Sequence, residues 1–294
     1  MKVIPRILGG LGNQLFSYCA ARRLAIVNGA ELVLDNVSGF RYDYEYQQQY
    51  QLDHFHIQAR FANAAERLEP LSRVRRYIKR RVNRKRSFEV RQYIQQETND
   101  FDPRLLQVKL SDTVYLEGYW QSEGYFKDIE PIIRSDLKII SPTDSVNLHM
   151  AARIQNCTAV AIHVRFFDAP ASASGNNAPS EYYNKAIAMT EALAPNAHYF
   201  LFSDNPAAAR ALISLPDTKI TLVVHNRGDT DAYADLWLMS LCKHYIIANS
   251  TFSWWGAWLA DHQEKKIIAP GFKLIDGKTA WGFDGLLPDE WIKI

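Results

Sequence analysis

The sequence predicts an α/β protein with two parallel-sheet units, and three observations carry that expectation. The chain opens in the order strand, glycine turn, helix, strand, which is one βαβ unit. After residue 159, five short apolar runs alternate with helix-forming segments, the pattern of a doubly wound parallel sheet with ligands beyond the carboxyl ends of its strands. With 294 residues and 47% hydrophobic side chains, the chain can fill about two cores. Charged residues make up 22% and are spread along most of the length, which argues against disorder.

The first unit reads as Val3 to Leu8, the turn Gly9-Gly10-Leu11-Gly12-Asn13, an apolar-periodic helix from Leu15 to Val27, and a strand from Glu31 to Leu34. A strand before Gly-x-Gly, with Asp35 standing 23 residues after Gly12, looks like a dinucleotide fingerprint. Leu15 falls where the third glycine or alanine belongs, so the plainer reading is a tight turn with close backbone approach. Tyr42 to Tyr50 is aromatic and Gln-rich without a period, and reads as a loop.

Between residues 62 and 82, Leu68, Leu71, Val74, Ile78 and Val82 recur at steps of three and four, which predicts an amphipathic helix over about 68–86. From Arg73 to Arg91 there are ten Lys or Arg against one acid, Glu89. That block carries +9 while the whole chain carries +2, so the remainder is acidic. A solvated basic face, a dock for an anionic membrane or a lipid-diphosphate-linked acceptor, and a nucleic-acid surface all fit such charge. No recognition motif accompanies the charge, so no nucleic-acid partner is expected.

The second unit predicts strands at Ala159–Phe166, His198–Phe202, Lys219–Val224, Tyr245–Ala248 and Lys266–Ala269. Helices follow at Glu181–Leu193, Pro206–Leu212, Asp231–Cys242 and Thr251–Ala260. The domains are expected at 1–150 and 151–294 with a cleft between them. No apolar run approaches the roughly 20 residues that cross a bilayer, and no signal peptide is visible. A cytoplasmic protein is expected, peripheral at most to the inner face of a membrane. Cys19, Cys157 and Cys242 lack paired spacing and read as reduced core residues.

Three stretches can carry chemistry. In His163-Val164-Arg165-Phe166-Phe167-Asp168 a strand of period two puts His163 and Arg165 on one face. The planar fork of Arg165 suits a diphosphate, while an internal pair with Asp168 is the structural alternative. His163 reads equally as an orienting side chain or as an acid or base. Ser203-Asp204-Asn205 closes the next strand: Asp204 offers a carboxylate to the N–H edge of a guanine, or any of the three caps the helix that follows. Asn249-Ser250-Thr251-Phe252-Ser253 ends a strand and starts a helix, whose orphan N–H groups favour a phosphate. Asp229-Thr230-Asp231 is a literal D-x-D, read as a helix cap in preference to a metal site.

Gly9-Gly10-Leu11-Gly12-Asn13-Gln14-Leu15-Phe16, His163-x-Arg165, Phe202-Ser203-Asp204 and Ala248-Asn249-Ser250-Thr251-Phe252-Ser253-Trp254-Trp255-Gly256-Ala257 resemble, in that order, the motifs of the α-1,2-fucosyltransferases of glycosyltransferase family 11. The resemblance implies a GT-B fold with two Rossmann-like domains, a GDP-β-L-fucose donor, a galactose-containing acceptor, inversion to an α-1,2 linkage and no required metal or other cofactor. It further implies that Arg165 contacts the donor diphosphate, that His163 holds the same loop and that Asp204 helps read guanine. Asn249, Ser250, Thr251, Phe252 and Ser253 would sit by the phosphates, with Gly10, Gly12, Asn13 and Gln14 approaching from the first domain. One departure stands out: the family pattern has a second arginine and a glycine where this chain has Phe166 and Phe167.

Inverting transfer needs in-line attack by an acceptor hydroxyl, stabilisation of charge on the leaving diphosphate and a general base. Asp168 is the nearest candidate base, with Glu181 and His163 behind it. The competing classes are a nucleotide- or sugar-binding protein without chemistry, a transferase using another nucleotide sugar, and a nicotinamide oxidoreductase.

Overall fold

The computed structural model describes residues 1–44, 47–170, 175–276 and 279–294. The chain divides into two compact units, the first comprising Met1–Lys138 with Asp284–Leu286, the second Ile139–Phe283 with Leu287–Ile294. The division falls before residue 150 because α4 (Ser145–Gln155) belongs to the second unit. There Asn147 donates from Nδ2 to Asn226 Oδ1 at 3.0 Å, and its own Oδ1 meets His225 Nε2 at 2.9 Å.

The first unit contains β1 (Lys2–Pro5), α1 (Leu11–Val27), β2 (Glu31–Leu34), β3 (Arg60–Phe61), α2 (Ser72–Asn83), β4 (Tyr93–Gln95), β5 (Val114–Glu117) and α3 (Glu130–Asp136). Its sheet runs β3-β2-β1-β5-β4, and every pairing is parallel. Helix α1 starts at once after the glycine turn, where Gly9 holds φ +81°, a conformation other residues adopt only under strain. It ends where Asn28 donates to the Leu24 carbonyl at 2.9 Å. Asp136 of α3 accepts from Tyr18 Oη at 2.7 Å and Arg22 Nε at 2.8 Å, which fixes α1 against α3. Asp35 is fully buried and accepts from the backbone and hydroxyl of Ser38 and from Arg76. It is a structural bracket, which removes the residue that a dinucleotide fingerprint would need for a ribose.

Helix α2 is shorter than the expected 68–86 and turns its apolar side outward. It begins at Ser72, because Leu68 and Leu71 adopt φ of +63° and +65° on either side of Pro70. Leu68 does enter the core. Leu71, Val74, Ile78 and Val82 instead stand between 48% and 71% exposed, while Arg76 and Asn83 are buried. Polar anchors set this face inward. Arg76 binds Asp35 and Ser38, Asn83 Oδ1 accepts the Gln92 N–H at 2.7 Å, and Lys79 lies 5.3 Å from the centre of the Tyr115 ring.

The second unit contains α4, β6 (Ala159–Val164), α5 (Ser180–Leu193), β7 (His198–Ser203), α6 (Pro206–Leu212), β8 (Ile220–Val223), α7 (Ala232–Ser240), β9 (His244–Ile246), α8 (Thr251–Leu259), β10 (Ile267–Ala269), the hairpin pair β11 (Leu274–Asp276) and β12 (Thr279–Trp281), and β13 (Ile292–Lys293). The sheet order is β13-β10-β9-β6-β7-β8, again parallel throughout. All six residues of β6 are buried, as a strand covered on both faces requires. Val160, Ile162 and Val164 pack with Tyr183, Tyr199 and Leu201, and each such large side chain contributes about 1.5–3 kcal/mol by leaving water. Tyr182 Oη donates to the carbonyls of Ile247 and Ile268 at 2.7 and 3.0 Å, fastening α5 across β9 and β10. Trp254, Trp255 and Trp258 of α8 pack edge-on and stacked among themselves, and Trp254 also meets Trp291, with ring centres 5.3 Å apart.

Cys19 and Cys242 are buried as expected, whereas Cys157 is partly exposed because it follows the last turn of α4. Among the described residues no helix is long and apolar enough to cross a membrane.

Candidate active site

In the second unit the chain leaves β6 for β7 and β8 on one side and returns to β9 on the other. The carboxyl ends of β6 and β9 therefore form the topological switch point, where open α/β sheets bind ligands. Register fixes what stands there. Val164 pairs with Ser203, so the following residues Arg165 and Asp204 meet across the sheet end. Ile162 pairs with Ile246, which brings Asn249 level with Arg165 on the other flank.

Arg165 Nη1 lies 3.2 Å from Asp204 Oδ2, and the two side chains are 42% and 29% exposed. The alternative pair with Asp168 does not form. Asp168 instead accepts from Asn176 Nδ2 at 2.6 Å, and its backbone N–H donates to Asn177 Oδ1 at 3.3 Å. Asp204 Oδ1 accepts the Phe166 N–H at 3.2 Å. Oδ1 also accepts from Ser203 Oγ at 3.4 Å, while Oδ2 retains a second lone pair beside Arg165, so a guanine edge would share that oxygen with Arg165. Of the three polar residues closing β7, Asn205 is the cap of α6, accepting the Ala208 N–H at 3.2 Å. That leaves Asp204 to the rim.

His163 is buried 5.6 Å from the Phe252 ring, and its Nδ1 has no hydrogen-bond partner. Burial, with the neighbouring charge of Arg165 second, holds its pKa down to about 3. The imidazole is therefore neutral at physiological pH, which suits orienting and hydrogen bonding and not donating a proton. Asn249 is buried with Nδ2 on the Asn176 carbonyl at 2.9 Å and Oδ1 without a partner. His163 Nδ1 and Asn249 Oδ1 both lie beneath the surface at the ends of β6 and β9, unsatisfied by the protein itself. Ser250 caps α8, its Oγ accepting the Phe252 N–H at 3.3 Å. Ser253 is buried and donates back to the Ser250 carbonyl at 3.2 Å, while Thr251 and Phe252 are partly exposed in the first turn.

Phe166 and Phe167 stand where the family pattern has an arginine and a glycine, and they lie differently. Phe166 packs against the core of the unit; Phe167 is exposed, with Arg165 5.8 Å from its ring centre. Glu181 sits in the first turn of α5, exposed. Asp229–Asp231 forms a short 3-10 turn ahead of α7, and Asp231 Oδ2 accepts the Arg227 N–H at 3.1 Å instead of capping α7. Among the described residues no group of three or more His, Cys, Asp or Glu is placed to hold a metal ion.

In the first unit, Gly10 is the residue ahead of α1, Gly12 is buried in its first turn, and Asn13 Oδ1 accepts from Gln121 Nε2 at 2.7 Å. Gln14 is wholly buried: Nε2 donates to the Gly9 and Gln49 carbonyls, both at 2.8 Å, and Oε1 accepts the Gln51 N–H at 3.0 Å. It locks the glycine turn to the 49–51 segment. Of the aromatic loop, Tyr42 and Tyr44 are exposed, and residues 45 and 46 lie outside the described part. Trp120 is core, edge-on to Tyr125 with ring centres 5.5 Å apart.

Sequence reasoning did not find the polar knot beside β8. Asp235 Oδ1 accepts from Asn226 Nδ2 at 2.7 Å, and burial raises the Asp235 pKa to about 7. The side chains come from α4, α7 and the loop after β8, and no local spacing joins them.

Two separate parallel sheets flanked by helices, with a cation, a carboxylate and a helix start at one sheet end, define a glycosyltransferase of GT-B type. The chain belongs to glycosyl transferase family 11, whose model matches residues 3–279. It is 27% identical to an α-1,2-colitosyltransferase of Escherichia coli, with 99% of this chain and 98% of that protein covered. It is also 27% identical to the O-antigen biosynthesis glycosyltransferase WbnK of Escherichia coli, covering 97% and 98%. Among solved structures it is similar to an Arabidopsis thaliana FUT1 mutant in complex with GDP, with a TM-score of 0.54, 15% identity and coverage of 99% and 76%. The fucosyltransferase NodZ from Bradyrhizobium matches with a TM-score of 0.50, 14% identity and coverage of 88% and 92%.

Proposed function

We propose that the protein transfers L-fucose from GDP-β-L-fucose to the 2-hydroxyl of a galactoside, inverting the anomeric centre to an α-1,2 linkage in the building of a surface glycan. The observation that carries this reading is the meeting of Arg165, Asp204 and the start of α8 at the switch point of the second unit, in a family 11 chain. The second unit is then the donor side and the first the acceptor side. Arg165 and the N–H groups opening α8 take the charge that gathers on the diphosphate as the glycosidic bond breaks. His163 stays neutral beneath them and holds Phe252 and the β6 end in place. Asp204 accepts from the guanine edge and also orients Arg165. Asp168, steadied by Asn176, is the candidate base for the acceptor hydroxyl.

The exposed apolar stripe of α2, bordered by Arg75, Arg81 and Lys85, is the partner face in this reading. Its charge and shape suit an anionic bilayer, with the apolar residues entering the interface and the cations meeting headgroups. A second donor is favoured by one observation: the relative matched over 99% of this chain is named for colitosyl transfer. A panel of GDP-sugars tested against galactosides, with the product linkage read by NMR, decides both. An α-1,2-fucosyl product supports the first reading, colitosyl product alone the second, and no transfer from any GDP-sugar refutes both.

A further inference from the structure

The first unit has its own switch point. Its chain runs from β1 outward through β2 and β3, and the other side of the sheet is built by β5 and β4. At the carboxyl ends of β1 and β5 lies a cavity of about 330 Å³, lined among others by Arg6, Arg73, Arg76, Arg80 and Glu117. Five of its ten lining side chains are arginines, against the two carboxylates Glu69 and Glu117.

The internal acids do not satisfy these cations. Arg6 Nη1 binds Glu117 Oε1 at 2.8 Å, and Arg80 Nε stands 3.5 Å from the other oxygen of the same carboxylate. Glu117 also accepts from Tyr93. Arg76 is committed to Asp35 behind the cavity wall. Arg41 comes no nearer than 3.8 Å to Glu69, which is shared with Arg67. Arg73 has no carboxylate partner among the described residues and rests 4.4 Å from the centre of the Tyr42 ring. Acceptors run short as well: the Nε groups of Arg6, Arg76 and Arg80 are buried without one. Five guanidinium groups around one hollow repel one another unless an anion enters it, and planar forks converging from several elements match a tetrahedral oxyanion.

We propose that this cavity is a second anion site, separate from the Arg165 rim, that takes a phosphate or diphosphate group. Arg41 and Arg73 are its adjustable contacts, while Arg6, Arg76 and Arg80 form its fixed floor. The site does not depend on which sugar the second unit carries.

The test uses the full chain with GDP at saturation, so that the Arg165 rim is filled, and titrates inorganic diphosphate by calorimetry. Saturable binding of one diphosphate per chain is expected. Arg73→Gln should weaken it about tenfold, as the loss of one charge-assisted contact does, and Arg41→Gln by a similar factor. Arg165→Gln should leave it unchanged. Neither Arg41 nor Arg73 closes a buried pair, so both variants are expected to keep the parent Tm. A parallel arm sediments the protein with phosphatidylglycerol vesicles. Displacement of vesicles by soluble diphosphate, lost in Arg73→Gln, assigns the phosphate to a lipid headgroup; diphosphate binding without effect on vesicles assigns it to a soluble or glycan-borne group. The proposal is overturned if diphosphate fails to bind and Arg73→Gln leaves sedimentation unchanged, or if binding is lost in Arg165→Gln and not in Arg73→Gln. The latter result would place the diphosphate at the Arg165 rim, left open by GDP, and so would count against the donor reading as well as against the second site.

Discussion

Arg165→Ala separates a structural from a catalytic role because the two predict effects of different size. The bridge to Asp204 joins side chains 42% and 29% exposed, and such a pair contributes about 0.2–1 kcal/mol in water. Its loss should lower Tm by no more than about 2–4 °C in a chain of this size. As the main cation on the leaving diphosphate, Arg165 acts where charge develops, and removing one such donor costs about 100-fold in kcat, or roughly 2.7 kcal/mol. Asp204 adds to the loss, since its charge then faces the diphosphate uncompensated. Phe166 gives no relief, being an uncharged ring packed against the core where the family pattern has a second arginine. The assay is transfer from GDP-fucose under saturating acceptor, with Tm measured on the same preparation. Arg165→Lys should recover part of the rate, because a point charge replaces the fork. A variant that keeps the parent rate refutes the role, and one that unfolds shows that the exposed bridge was misjudged as weak.

Transfer is expected to persist in excess EDTA, since Asp231 is occupied by the Arg227 backbone; loss on chelation with recovery on adding Mn²⁺ would promote Asp229 and Asp231 to ligands. Val74→Asp with Ile78→Asp should abolish sedimentation with anionic vesicles while leaving Tm and donor KM near those of the parent, because both residues are more than half exposed; unchanged sedimentation refutes the bilayer face. Asp235, with its folded pKa raised to about 7 from 3.8, contributes stability that is complete below the unfolded value and is lost as pH rises through 7. Asp235→Asn keeps an acceptor for Asn226 without the buried charge, so it should raise Tm at pH 8 by several degrees and have little effect at pH 4; an equal effect at both would show that the carboxyl is ionised throughout.

Much of the second unit was legible because short buried strands separated by polar turns leave an unambiguous signal. Pro206–Leu212 matches its expected helix, while the predicted strand 159–166 overruns by Arg165 and Phe166, and the predicted strand 245–248 misses His244 and overruns by the buried Ile247 and Ala248. Its partnerships were not legible. That Arg165 meets Asp204 and not Asp168 follows from the register of β6 on β7, which no spacing within either strand reveals. Helix α2 shows the opposite failure. Its apolar period was plain, yet the rule that such a face turns inward was overridden by Asp35, a buried carboxylate for which Arg76 is the required partner. The D-x-D was placed correctly ahead of α7, but its side chain closes the preceding turn.

Residues 284–286 return to the first unit after the chain has completed most of the second. The Phe101 N–H donates to the Asp284 carbonyl at 2.8 Å, the Asp284 N–H to Asp100 Oδ1 at 2.9 Å, and Leu286 is fully buried. Gly285, at φ +84°, passes so close that a Cβ there would lie 2.5 Å from the Phe101 Cβ. On the ribosome the first unit therefore emerges incomplete. At about 5–20 residues per second it waits roughly 7 to 30 s, while residues 139–283 of the second unit are synthesised, for the three residues that finish it. During that interval the place of Leu286 stands open to water, an uncovered apolar patch in the core of the first unit that closes only when residues 284–286 arrive.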